Sequence, residues 1–197
     1  MCLLYLFIIK ENKPLFFKSQ SELYKWLEKN HNKEKELFIG FYKKNSGRQA
    51  VTYQEALDAA LCFGWIDGQA NKNDEISWMQ RFTPRRERSS WSKINTQNAE
   101  RLIKSGRMKP AGLKQIEAAK QDGRWHRAYD SPSNAKLPEY FLKQVNKNPK
   151  TKKFLGTLNK VNLYSITYRL QTAKKPETKE KRMKAIIEML EKGEKFH

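Results

Sequence analysis

Near Ser92 the hydrophobic pattern of this 197-residue chain changes period, and that one feature narrows the architectures open to it. Before Ser92, short aromatic and β-branched runs are punctuated by turn residues; after it, apolar residues recur three and four positions apart. Strands found only early in the chain, with helices alone after Ser92, predict an α+β fold, because a βαβ repeat would carry strands throughout. The expected fold is a small antiparallel sheet with flanking helices in the first half and a helical C-terminal part. No internal repeat is visible.

The local signals are specific. Ser19 followed by Glu22 reads as a capping box, with Leu23, Trp26 and Leu27 at helical spacing, so a helix is predicted from about 20 to 30. Leu37 to Tyr42 reads as a buried strand ended by Asn45-Ser46-Gly47. Thr52 with Glu55 is a second capping box, opening a helix that stops near Gly64. Trp65 to Gly68 and Ile76 to Phe82 read as two antiparallel strands joined by the polar loop Gln69 to Glu75. Beyond Ser92, Ala99, Leu102 and Ile103 share a helical face, Gly106 is the expected C′ residue, and Pro110 opens a helix running to Gly123. Pro138, Pro149 and Pro176 each suit a first helical turn, and Met183, Ile186, Ile187 and Leu190 mark a last helix ended by Gly193. On that helix Glu177–Lys181, Glu180–Lys184 and Glu188–Lys192 are i,i+4 pairs. The expected organisation is an α+β domain over 1–128, a polar linker at 129–136 and a helical subdomain over 137–197.

Composition bounds the partners. The net charge of +19 makes polyanions and anionic surfaces the natural class. It is unevenly placed: residues 1–80 carry 11 basic and 10 acidic groups, 81–136 carry 14 and 5, and 137–197 carry 15 and 6. Eight of the eleven arginines fall between Arg81 and Arg127. Cys2 and Cys62 are too few for a disulfide framework and fit a reducing cytoplasm, the expected location. The apolar opening Cys2 to Ile9 lacks a preceding basic residue and a small-residue cleavage site and is far too short to span a bilayer, so it reads as a first strand or an apolar leader.

Several strings then occur in a telling order: Ala60-Leu61-Cys62-Phe63-Gly64-Trp65-Ile66-Asp67-Gly68, Phe82-Thr83-Pro84-Arg85, Trp91-Ser92, Gly106-Arg107-Met108 and Pro110-Ala111-Gly112-Leu113. With Asp122-Gly123-Arg124-Trp125 and the segment from Ala173 to Arg182, they resemble the YdeI/OmpD-associated family, also described as the bacteriocin-protection family with an OmdA-type domain. The resemblance runs from about Phe16 to the last helix and leaves residues 1–13 outside. It implies an association with resistance to bacteriocins or cationic antimicrobial peptides and with an outer-membrane porin. It brings no cofactor and no catalytic residue. A chain of charge +19 repels cationic peptides, so any protection would be indirect.

The segment from Phe63 to Trp91 is the candidate site. Trp65, Trp78 and Trp91 interleave with Arg81, Arg85 and Arg86, and Asp67 sits in a tight turn, which is what stacking plus phosphate neutralisation requires. The same residues also describe a strand pair on a core with a solvated arginine edge. Asp67 reads as a pocket carboxylate or as turn chemistry, and Cys62 as a small buried hydrophobe. His31, His126 and His197 have no metal-ligand spacing and no glycine-rich phosphate loop is present, so neither metal nor cofactor is expected. The resulting expectation is a non-enzymatic stress or antimicrobial-peptide resistance factor recognising an anionic partner, whether nucleic acid, anionic lipid or protein. The alternatives are a nucleic-acid-binding module and an enzyme with a site around Asp67, Arg81 and Arg85.

Overall fold

A computed structural model describes residues 13–197; the opening Cys2 to Ile9 lies outside the described residues. The fold is α+β, with eight α-helices and one three-stranded sheet among those residues. The chain divides into two compact units, one formed by residues through Ser89 with Asn98–Gln121, the other by Ser90–Gln97 with Asp122–His197.

In the first unit, helix α1 (Gln20–Asn30) starts where Ser19 Oγ accepts the Glu22 N–H, and Glu22 reaches back to the Lys18 N–H at 2.6 Å, one residue beyond the usual box partner. Strand β1 (Leu37–Tyr42) follows, then helix α2 (Tyr53–Cys62), whose full capping box at Thr52 and Glu55 satisfies the first-turn donors. Strands β2 (Trp65–Lys72) and β3 (Ser77–Pro84) pair antiparallel as expected, in the order β1-β3-β2. Directly opposed residues share a face, so Leu37, Ile39 and Phe41 lie beside Phe82, Gln80 and Trp78. The loop expected at 69–75 is shorter than that, because β2 continues to Lys72. Gln69 to Lys72 lie on an edge strand wet on both sides, where no hydrophobic alternation is required, and a bulge between Asp67 and Ala70 resets the register. Buried Gln80 is satisfied within that bulge, its side-chain amide donating to the Gly68 carbonyl at 2.6 Å.

Helix α3 (Lys93–Lys104) is divided between the units, and helix α4 (Pro110–Gln121) belongs to the first. The α2–β2 corner turns at Gly64, φ +74°, and α4 comes so close there that a Cβ on Gly112 would lie 2.5 Å from the Cys62 carbonyl oxygen. Lys109 N–H donates to that same carbonyl. Cys62 is buried, and desolvation pushes its thiol up to about 11, so it behaves as the small hydrophobe anticipated.

In the second unit, Trp91 to Lys93 pairs with Tyr129 through two backbone hydrogen bonds, and the Trp91 and Trp125 rings pack with centroids 4.9 Å apart. The stretch expected as a linker is therefore tied down at its start: Asp130 takes Lys93 at 2.6 Å and exchanges two hydrogen bonds with Gln171. Helices α5 (Glu139–Val145), α6 (Pro149–Leu155), α7 (Lys160–Gln171) and α8 (Pro176–Glu191) enclose a core of Phe141, Val145, Leu155, Ile166, Leu170, Ile186 and Leu190. Pro138 is the N-cap of α5, while Pro149 and Pro176 open α6 and α8 as read from the sequence. Among the described residues, none of the three glutamate–lysine pairs expected on α8 is an ion pair, and the i,i+4 pair that forms is Glu139–Lys143 on α5, at 3.1 Å. Such exposed charges gain little by pairing, because solvent screens them and holding two long side chains costs entropy.

Candidate functional site

The shared face of the sheet ends in a stack. The Phe41 and Trp78 rings lie 4.6 Å apart at 27°, and Tyr53, first residue of α2, sits 6.0 Å from Trp78 and edge-on to Phe41. Phe41 is buried; Trp78 and Tyr53 are half-buried, so the stack emerges into solvent on one side. There it forms the wall of a groove of about 490 Å³ between the start of α1, the end of β1 and the segment 48–53.

Four cations line this groove: Lys18, Lys43, Lys44 and Arg48. Arg48 lies over the Tyr42 ring at 5.4 Å with its Nη1 3.4 Å from the tyrosine hydroxyl, which holds the guanidinium at the rim. Lys43 donates to the Glu75 carbonyl, while Lys18 and Lys44 extend from exposed positions. Glu55 is the single carboxylate among the lining residues, and it is already committed. It accepts from both the N–H and the hydroxyl of Thr52, at 2.8 Å each, and the Thr52 backbone hydrogen bond leads in holding its pKa below the ordinary value. The groove therefore offers uncompensated positive charge beside exposed aromatic faces.

The residues singled out from the sequence are dispersed. Trp78 is in the groove wall, and Asp67 stands behind it, accepting the Tyr53 hydroxyl at 2.8 Å. Trp65 is a core residue, 1% exposed, with its indole N–H bonded to the His31 carbonyl at 3.0 Å. Arg81 is paired with Glu36 at 2.8 Å. Arg85 is buried and its backbone N–H bonds the Gly64 carbonyl, whereas neighbouring Arg86 is exposed. Trp91 is buried in the second unit against Trp125. Asp67 and Arg81 thus take separate partners, and the Arg85 backbone is tied to Gly64. Among the described residues there is no group of three His, Cys, Asp or Glu side chains able to hold a metal ion, and no helix is long and apolar enough to cross a membrane.

Sequence reasoning missed Lys18, Lys43, Lys44, Arg48 and Tyr53. They come from three separate segments that converge only after α1, β1 and α2 are placed. The available signal was local: a lysine pair at the end of an aromatic strand, followed within ten residues by a capped helix whose first residue is tyrosine.

The other buried charge cluster is structural. Asp58, 6% exposed, accepts from Arg101 at 2.7 and 2.9 Å and from Arg107 at 3.5 Å, while the Arg107 carbonyl accepts the Tyr24 hydroxyl. This ties α1, α2 and the segment leading into α4 together, and it gives the Gly106-Arg107-Met108 string a packing role.

No curated protein and no solved structure matches this chain. Two family models do. Residues 134–193 match the one described as Bacteriocin-protection, YdeI or OmpD-Associated (OmdA), which spans α5 to α8 and takes in the segment from Ala173 to Arg182. The strings from Ala60 to Leu113 lie instead under a second model, described as Domain of unknown function (DUF8412), and Asp122 to Trp125 falls between the two. That second match covers residues 15–115, more than half of the 197 residues and every residue of the groove, and the chain belongs to this DUF8412 family, with an OmdA domain following.

Proposed function

We propose that the protein is a non-enzymatic binding protein for an anionic partner and that recognition occurs at the basic aromatic groove beside Trp78. The observation that carries this reading is the pairing of four lining cations with one carboxylate that is withdrawn into a helix cap. A partner fitted to it bears phosphates together with a planar group: phosphates beside Lys44 and Arg48, the planar group against Trp78 and Tyr53. A single-stranded nucleic acid has both. The OmdA description supports placing this activity in bacteriocin protection, and we extend it to antimicrobial-peptide resistance or a stress response acting indirectly in the cytoplasm, since a protein of charge +19 does not sequester cationic peptides.

The test is a titration of the full chain with short single-stranded oligonucleotides at about 50 and 200 mM salt, followed by tryptophan fluorescence. Saturable quenching is expected, weaker but persistent at the higher salt. Trp78→Phe should remove most of the quenching, and Arg48→Gln with Lys44→Gln should lower both affinity and salt dependence. Equal binding of a sulfated polysaccharide, or quenching unchanged by these substitutions, would mean that the charge acts only as a solvated coat.

A further inference from the structure

The second unit contains a cleft of about 650 Å³ that the groove does not explain, lying between α7, α8 and the C-terminal residues. Its walls are mixed, with Ser90, Tyr168 and Thr172 contributing neutral polar groups. Ala185, Ile186, Met189 and Phe196 supply apolar surface, and Arg169 and Arg182 supply charge. No carboxylate lines the cleft, and among the described residues neither arginine has a carboxylate partner.

The charges are held in place. Arg182 donates through Nη1 alone, to the Arg169 carbonyl at 2.8 Å and to Thr172 Oγ1 at 3.3 Å, which anchors the guanidinium to the end of α7 and leaves Nε and Nη2 for a ligand. Arg169 lies over the Phe196 ring at 4.1 Å. Phe196 is itself fixed, because the next residue is locked to a buried side chain. Asn162 accepts the His197 N–H at 3.0 Å and donates to a His197 main-chain oxygen at 3.2 Å, and Ser165 meets the His197 ring at 3.0 Å. Asn162 and Ser165 are buried polar residues of α7, and fixing this wall is what they do.

A preformed cleft of this size, with one apolar wall of Ala185, Ile186, Met189 and Phe196 and two held guanidinium groups, suits a ligand with an apolar body and one anionic head. Cationic amphiphiles are repelled, and a multiply charged polymer has no apolar part to fill the floor. We infer that the α7–α8 cleft binds an amphiphilic carboxylate of the fatty-acid class, with its head on Arg169 and Arg182 and its chain over Ile186, Met189 and Phe196. This site is independent of the groove beside Trp78.

Calorimetric titration of the full chain with decanoate and dodecanoate, kept below their micellar range, tests it, with acetate, dodecanol and dodecylammonium as comparisons. One-to-one binding of dodecanoate is expected, up to about fourfold weaker per methylene removed, since a fully buried methylene contributes about 0.8 kcal/mol. Arg169→Gln, which breaks no backbone hydrogen bond, and Arg182→Gln should each weaken binding about tenfold. Ala185→Trp, at an exposed lining position, should fill the cleft and abolish binding while leaving the far-UV spectrum unchanged. The assignment is overturned if dodecanol binds as tightly as dodecanoate, if acetate binds equally well, if Arg169→Gln or Ala185→Trp leaves affinity unaltered, or if dodecanoate does not bind saturably.

Discussion

The two units are stabilised in different currencies of interaction although they share one chain and one excess of positive charge. The first buries a large apolar core that includes Leu23, Leu27, Ile39, Trp65, Phe82 and Leu102, and adds polar and backbone ties to it: two helix caps, a carboxylate buried between arginines, a glycine set against a carbonyl. The second rests on a compact aliphatic core with lysines ranged over its surface and few ion pairs. Both units carry excess positive charge, although residues 1–80 taken alone are near balance. The lesson is that exposed excess charge is tolerated in both units because each buries an apolar core, whereas a charge placed inside, as Asp58 is in the first, must be matched.

The sharpest way to break this comparison is to attack each unit at the feature that distinguishes it. Leu190 is fully buried in the core of the helical unit, and Leu190→Ala should cost about 2–5 kcal/mol, read by urea denaturation. A loss below about 1 kcal/mol would show that the aliphatic core is not what holds these helices. Next in size, Asp58→Asn leaves Arg101 and Arg107 without their carboxylate. Breaking a fully buried pair costs about 3–5 kcal/mol. Here the guanidinium groups are nearly half exposed, so about 2 kcal/mol is expected in the same assay, against about 0–1 for Glu36→Gln at the exposed Arg81 pair.

Gly112→Ala probes the backbone contact and should destabilise by about 1–3 kcal/mol, because the added carbon would meet the Cys62 and Leu61 carbonyl oxygens at 2.5 and 2.7 Å and neither is the free end of a side chain. A neutral result in thermal melts would mean that α4 can move away from the α2–β2 corner without loss.

What could be read in advance divides along the same line. The capping boxes at Ser19 and Thr52, the strand Leu37–Tyr42 and the prolines opening α6 and α8 are local signals, and each element stands where its signal put it. Helix α7 was not anticipated, because its buried face includes Asn162, Ser165 and Thr167, and an apolar period does not register a polar face that folds against the tail. Likewise Trp65 and Trp91 carry the same composition signal as Trp78, but whether a tryptophan becomes core or groove wall depends on strand register and on which helix covers it. The candidate site was legible in Trp78 and Asp67; its cations were not, because Lys43, Lys44 and Arg48 carry no periodic signal and Lys18 joins them only once α1 is placed.

Acid should weaken both units in one direction. Glu55 in the first and Asp130 in the second have pKa values lowered in the folded state, Glu55 foremost by the Thr52 backbone hydrogen bond and Asp130 foremost by the Lys93 side chain. A lowered folded pKa contributes stability above the unfolded carboxylate range, and that contribution is lost as pH falls through the folded value. Denaturation midpoints should therefore drop as pH is taken below the ordinary carboxylate range. Glu55→Gln should flatten part of that dependence, and an unchanged profile would show that the cap carries no charge-linked stability.

The smallest expected effect is also the most discriminating. Glu180→Gln and Glu188→Gln on α8 remove charges that the sequence places in helix-stabilising pairs but that form no ion pair. If the aliphatic core carries this unit, the double substitution should change stability by less than about 0.5 kcal/mol and respond little to salt. The net charge also rises by two, so a larger loss that grows at low ionic strength would indicate long-range repulsion within the lysine-rich unit. In that case the contrast between the units would lie in how close each stands to its electrostatic limit, with the core of Leu170, Ile186 and Leu190 supplying the margin that lets so basic a surface persist.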